Sequence, residues 1–162
     1  MSGPRTVGVD GLAPAGRPRC RVVADAAEAD EHHRIRRAVF VDEQAVFADT
    51  DLDAHDARPD VLHVVAWLGE HAAGTVRLFP VDGPDGWWQG DRLAVLPAFR
   101  TAGVGAPLVR FAVASAAARG GTAMLAHVQP ANRVFFERLG WSARGTELYA
   151  GRPHVAMDIA LV

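Results

Sequence analysis

Apolar positions along the 162-residue chain change period several times, and each change marks an element. Residues 20–24 form a short apolar-rich run that predicts a first strand. Asp25 followed by Glu28 resembles a capping box and predicts a helix to about Phe40. Ala29, Ile35, Ala38 and Val39 supply its apolar side, and Arg34, Arg36 and Arg37 read as its solvated side. From 42 to 60 the chain turns acidic and loses periodicity. Residues 61–68 and 73–81 then read as strands joined through Gly69-Glu70-His71, a hairpin signal, and a turn at 82–86 leads into a strand over 87–96. The second half is helical and apolar by turns. Residues 103–119 predict a helix with Val104, Leu108, Phe111, Ala112 and Ser115 on one side, ended by Gly120-Gly121. An apolar strand at 122–128 precedes a helix over 130–139, with Pro130 in its first turn and Gly140 past its end. Residues 141–144 and 154–161 read as closing strands. This order predicts a single α/β domain around one mixed sheet over 20–162, with 1–19 as a flexible arm.

Composition narrows the function. The hydrophobic share of 49% and the charged share of 22% are those of an ordinary globular protein. With 17 Lys+Arg against 19 Asp+Glu, the net charge of −2 argues against nucleic acid or an acidic membrane surface as a partner. The single cysteine, Cys20, has no internal disulfide partner, which favours a reducing, cytoplasmic setting. No apolar run reaches the roughly 20 residues that span a bilayer. Gly and Pro interrupt the N-terminal stretch where a signal peptide needs continuous apolar sequence.

Residues 93–106, Leu-Ala-Val-Leu-Pro-Ala-Phe-Arg-Thr-Ala-Gly-Val-Gly-Ala, carry the clearest chemistry. A buried strand ends at Pro97, which has no N–H for a ladder. A short loop follows, and two glycines lead into a helix whose free amides and positive dipole end face outward. Glycines let a pyrophosphate approach the backbone, and Arg100 adds charge. A Walker loop would need Lys-Ser or Lys-Thr where Ala106-Pro107 stands. A dinucleotide fingerprint would need a small residue at Leu108. A plain Gly-rich helix cap is the remaining alternative, and the strand, Pro97 and Arg100 together weigh against it.

Arg-x-x-Gly-x-Gly after a strand ending in Val-x-Pro resembles the coenzyme A signature of the GNAT N-acetyltransferases. The runs Val39-Phe40-Val41-Asp42-Glu43-Gln44, Gly90-Asp91-Arg92-Leu93-Ala94-Val95, Ala126-His127-Val128-Gln129, Phe135-Phe136-Glu137-Arg138-Leu139-Gly140-Trp141 and Pro153-His154-Val155-Ala156-Met157 are similar to the ElaA-like branch. Within it they look most like a subset associated with nitrogen- and nitrile-utilisation genes. The resemblance covers roughly 20–162. It implies a mixed, mostly antiparallel sheet with a splayed parallel strand pair, helices on both faces, and a pantetheine arm lying in the gap like an added strand. Leu93, Ala94 and Val95 would then face the pantetheine and the acetyl carbonyl. The backbone of Thr101, Ala102, Gly103, Val104, Gly105 and Ala106, with Arg100 beside it, would hold the pyrophosphate, and Gln129 and Phe136 occupy further cofactor-contact positions. Acetyl-coenzyme A is the implied cosubstrate, with no metal. A backbone N–H near Val95 would polarise the carbonyl, a contribution of about 3 kcal/mol in comparable sites.

The implied activity is acetyl transfer to the primary amine of a small molecule, by direct attack on the thioester. The resemblance also suggests a homodimer. Where the family commonly carries a proton-donating tyrosine, this chain has Phe136, so the acid is unassigned. Tyr149, the only tyrosine, is a substitute in a segment without readable structure. That missing hydroxyl favours an alternative, a non-catalytic acyl-coenzyme A sensor or partner subunit. Base candidates are Glu43, His154 and His127. Each has a plain reading beside the catalytic one: a solvated or capping Glu43, a hydrogen-bonded strand-end His154, a satisfied core His127. Histidine as a type titrates near neutrality, and a water-relayed base is also sufficient. The acidic stretch 49–56 lacks the glycine and the final glutamate of a calcium loop, and His32, His33 and His55 lack zinc spacing. It reads as a solvated loop, with an electrostatic rim for a cationic amine as the second reading. Trp87-Trp88 reads as sheet packing, with one indole available to the cleft.

Overall fold

The computed structural model describes residues 16–162, so residues 1–15 of the expected arm lie outside the described residues. Seven strands make one sheet: β1 (Arg19–Val22), β2 (Leu62–Leu68), β3 (His71–Pro80), β4 (Trp87–Val95), β5 (Ala123–Val128), β6 (Ser142–Tyr149) and β7 (Arg152–Ala160). Their spatial order is β1-β2-β3-β4-β5-β7-β6. Every neighbouring pair is antiparallel except β4 and β5.

Helices cover both faces, which is why β2 and β3 read as continuous apolar runs and not as alternations. On one face Val64, Ala66, Val76 and Leu78 pack against Leu108 and Ala112 of α2 (Gly105–Ala118). Gly74 permits that approach, since a Cβ there would sit 2.8 Å from the Ala94 carbonyl and 2.9 Å from Leu108 Cδ1. On the other face Ile35 of α1 (Ala26–Arg36) packs with Val65, Ala72 and Ala94. Trp88 lies buried in the α2-side core, as sheet packing requires. The third helix, α3 (Arg133–Arg138), follows a short 3₁₀ turn at Pro130–Asn132.

Several boundaries differ from the sequence reading. The helix opened by Asp25 does reach the Phe40 region, but α1 widens into a π-helical segment over Arg37–Glu43. The second helix starts two residues later than expected, because Pro97–Ala102 forms a 3₁₀ helix and Gly103 turns left-handed at φ 69°. The β6 strand runs on to Tyr149, so the segment with no readable structure is half of a hairpin.

The largest correction concerns charge. Arg36 is not on a solvated face but fully buried, and the acidic stretch folds inward to meet it. Arg36 donates to Asp51 at 2.6 Å and to Asp56 at 2.7 Å. Arg92 donates to the same Asp51 carboxylate at 3.0 Å and to its carbonyl at 2.8 Å. Arg77 bridges Asp53 at 2.6 Å and Asp91 at 2.8 Å. Burial opposes ionisation of Asp56, but bonds from His63 and Arg36 outweigh it and hold the carboxyl well below the usual range. His32 completes the network as a neutral ring. Its Nδ1 lies 3.0 Å from the Val64 carbonyl and its Nε2 3.3 Å from Arg36 Nη1, so Nδ1–H donates and Nε2 accepts. Burial first, then the Arg36 charge, pushes its pKa down to about 2.

Candidate functional site

The parallel pair is a pair for only three residues, Trp87↔Ala123, Trp88↔Met124 and Gln89↔Leu125. Beyond them β4 and β5 diverge, and backbone that would have closed a ladder is left facing a cleft. A bulge in β4 lies just past the point of divergence. Opposite β3, Thr75 faces Ala94 while Arg77 faces Asp91, so Val76 is met by both Arg92 and Leu93. Arg92 takes the left-handed conformation at φ 52°, a strained state for a residue with a side chain. Two contacts hold it there: Thr75 Oγ1 donates to the Arg92 carbonyl at 2.9 Å, and Asp51 grips its guanidinium.

From the bulge a groove of about 370 Å³ runs past Leu93, Val95, Gln129 and Phe135 to Gly105 at the start of α2. No side chain caps that helix start. The first amides, of Gly105 and Ala106, are therefore left to the groove, and Pro107 has none to offer. Gly103 is exposed, and a Cβ there would project into open space, while one on Gly105 would meet the Phe135 ring at 3.3 Å. Thr101 and Ala102 are exposed beside it, and Val104 is buried beneath. Leu93 and Val95 line the groove as expected, whereas Ala94 points to the opposite face, into the α1-side core.

Arg100 sits at the groove wall, already partnered. Both its terminal nitrogens reach Glu43, one of them at 2.6 Å, and its Nε donates to the Val95 carbonyl at 3.1 Å. The guanidinium holds the Glu43 carboxyl below its ordinary pKa, the opposite of what a base near neutrality needs. Glu43 thus fastens the end of the π-helical segment to the glycine loop. Gln129 donates to Gln44 at 2.9 Å across the same groove.

The other candidates converge. His127 lies partly exposed on β5, its side chain opposite to the buried Ala126 and Val128. Its Nδ1 is hydrogen-bonded to the Glu147 carboxylate on β6. A carboxylate partner requires the proton on Nδ1 and leaves Nε2 as the acceptor. The ring stacks on Tyr149, centroids 4.2 Å apart and 7° from parallel, and both rings line the cleft. Between β5 and β6 runs β7, where Ala156 stands opposite His127, and its methyl leaves space for Glu147 and Tyr149 to reach across. His154 packs edge-on to Tyr149 at 5.5 Å and is bonded through Nδ1 to the Arg152 carbonyl at 2.9 Å. It faces an outer mouth shared with Gln44, Gln129 and Arg152.

Phe136 is buried at the cleft wall, edge-to-face with Trp141. Glu147 was not singled out by the sequence; its shared parity with Tyr149 becomes a signal only once both are known to lie on one strand. Among the described residues no group of three or more His, Cys, Asp or Glu is arranged to hold a metal, and no helix is long and apolar enough to cross a membrane.

A profile of the Acetyltransferase (GNAT) family matches residues 28–141. The chain is 30% identical to the Bacillus subtilis (strain 168) protein YjcF, an uncharacterized N-acetyltransferase, over 76% of this chain and 86% of that one. In three dimensions it superposes on Escherichia coli ElaA with a TM-score of 0.76 at 20% identity, covering 87% of this chain and 98% of ElaA. An aminoglycoside 6'-N-acetyltransferase solved with coenzyme A gives a TM-score of 0.73 at 16% identity, covering 89% and 97% of the two chains. The last two are likenesses of fold.

Proposed function

The chain belongs to the acetyltransferase (GNAT) family and is a GNAT-type N-acetyltransferase; from that premise we propose that it transfers an acetyl group from acetyl-coenzyme A to the primary amine of a small molecule. The observation that carries this reading is the divergence of β4 and β5, which opens one continuous path from the uncapped start of α2 to His127. The family uses acyl-coenzyme A, and the coenzyme A-bound aminoglycoside acetyltransferase shares the fold.

In this reading the amides at Gly103, Val104, Gly105 and Ala106 bind the pyrophosphate, with Arg100 at the rim steadied by Glu43. Leu93 and Val95 flank the pantetheine, and Gln129 and Phe136 wall it. Backbone freed by the bulge faces the thioester carbonyl, where a preorganised donor contributes about 3 kcal/mol. His127, held in one tautomer by Glu147, takes the amine proton at Nε2 as nitrogen bonds to the carbonyl carbon. The carbon–sulfur bond breaks, the Tyr149 hydroxyl supplies the proton for the departing thiolate, and the proton held on His127 returns to Tyr149 through water, which resets both residues. Tyr149 thereby fills the role that Phe136 lacks, and His154 positions its ring. Glu43 is excluded from this set by its pairing with Arg100.

Titration calorimetry with acetyl-coenzyme A is the direct test, and no heat of binding at high micromolar concentration rejects the proposal. Release of free thiol across a diverse amine panel separates catalysis from the sensor alternative, which predicts binding without turnover. Membership of the ElaA-like branch is the finer part of the proposal and rests on the runs at 39–44, 126–129 and 135–141. The nitrile-utilisation subset has no support among the relatives. A cytoplasmic location and a homodimer belong to the same reading, from the lone Cys20 and the family resemblance.

A further inference from the structure

The cleft does not end at His127. Between the splayed strands it reaches the α2 side of the sheet, and the whole cavity, including the part lined by His127 and Tyr149, holds about 100 Å³. Its walls on the α2 side are Val76, Val109, Ala112, Met124, Phe136 and Trp141, all buried and none of them charged. Gly90 lines it too, and its missing side chain lets Met124 pack close, since a Cβ at that position would press on Met124 Sδ at 3.1 Å. The single polar side-chain group on this wall, the Trp141 indole N–H, has no hydrogen-bond partner. The charged side chains of the cleft, Asp91 and Arg92, are turned the other way, into the network with Arg77 and Asp51.

An amine acceptor is a poor occupant of this space, because burying a polar or cationic group there without a partner is costly. Acetyl is far too small for it. A water-sized group needs roughly 10–15 Å³ of such volume, so the cavity holds about seven to ten of them. After the thioester atoms are counted, room remains for a chain of about four to six carbons.

We propose that the donor range extends beyond acetyl, and that this cavity binds a straight acyl chain of about four to six carbons. The inference rests on reading the groove as the thioester channel, since the cavity lies on that line beyond the sulfur. The transfer is otherwise unchanged: the carbon–sulfur bond breaks, the carbon–nitrogen bond forms, and the chain passes intact to the amine.

The test is calorimetry, without acceptor, using coenzyme A and its acetyl, butyryl, hexanoyl and octanoyl thioesters. Affinity is expected to rise roughly fourfold for each methylene buried, then level off beyond hexanoyl. Affinity that is flat or falls from acetyl to butyryl, with coenzyme A itself still binding, overturns this inference alone. Failure of coenzyme A to bind overturns the channel reading beneath it. Filling the cavity with Ala112→Leu is expected to cut the hexanoyl-to-acetyl affinity ratio at least tenfold. An unchanged ratio in a variant that still unfolds cooperatively removes the chain from this cavity, and the wild-type series stands if that variant does not fold.

Discussion

Acid should weaken this protein through one buried ring. His32 is wholly inaccessible, and its pKa falls from 6.5 to about 2 on folding, through burial and the Arg36 charge. The unfolded chain therefore binds a proton at this site below pH 6.5 and the folded chain does not. Stability is intact above that pH and declines as pH falls toward 2, by about 1.4 kcal/mol for each unit. Between pH 6.5 and about pH 5 the loss from His32 alone is about 2 kcal/mol. Asp53 and Asp56 do not act in this window. Both have lowered pKa values, so their contribution is present above their unfolded value of 3.8 and is lost only in stronger acid. His33 shifts in the same direction as His32 and adds to the loss. Urea unfolding followed by tryptophan fluorescence at about pH 7.5 and about pH 5 measures the effect. In His32→Gln an amide can still donate to Val64 and accept from Arg36 but never titrates. The gap in stability between wild type and variant should therefore change by about 2 kcal/mol across that interval. Parallel pH dependence in the two proteins would refute the assignment of a neutral, buried His32.

Four further variants have expected outcomes. Asp51→Ala leaves Arg36 and Arg92 without their shared carboxylate, and its urea midpoint should report a loss of about 3–5 kcal/mol. Gly103→Trp places a bulky side chain in open space at a left-handed position, so coenzyme A affinity by calorimetry should fall more than tenfold, with an added folding penalty of about 1–2 kcal/mol. His127→Ala should lower kcat by about 10²–10⁴ with little change in KM for the donor, and Glu147→Gln should lower kcat less, since it loosens the tautomer and keeps the base.

Much of this architecture was legible in the chain. The glycine loop could be read because its physics is local: a strand stop at Pro97, two glycines, and a helix start follow one another within a few residues. The divergence of β4 and β5 was available only through family resemblance, since nothing in the alternation of 87–96 announces a bulge. The acidic stretch misled for a physical reason. Aperiodic aspartates signal solvent unless their partners are known, and Arg36, Arg77 and Arg92 come from one helix and two strands. Arg36 in particular sits among other arginines on a helix, where pattern alone places it outside. His127 was ambiguous because every neighbour in β5 is apolar, so its direction depended on which face was the core. Tyr149 and Glu147 went unplaced because the register irregularity between Ala143 and Gly145 blurs the alternation of β6.

The ion network also sets what the wall beside the cleft can do. Hinging segment 45–60 outward would strip Arg36 of both its carboxylates and Arg92 of Asp51, and would leave Arg77 with Asp91 alone. The same stroke would release the grip that keeps Arg92 left-handed, and the bulge would lose its support. Behind Arg92 the segment is therefore a fixed buttress, tied to the helix and to two strands at once.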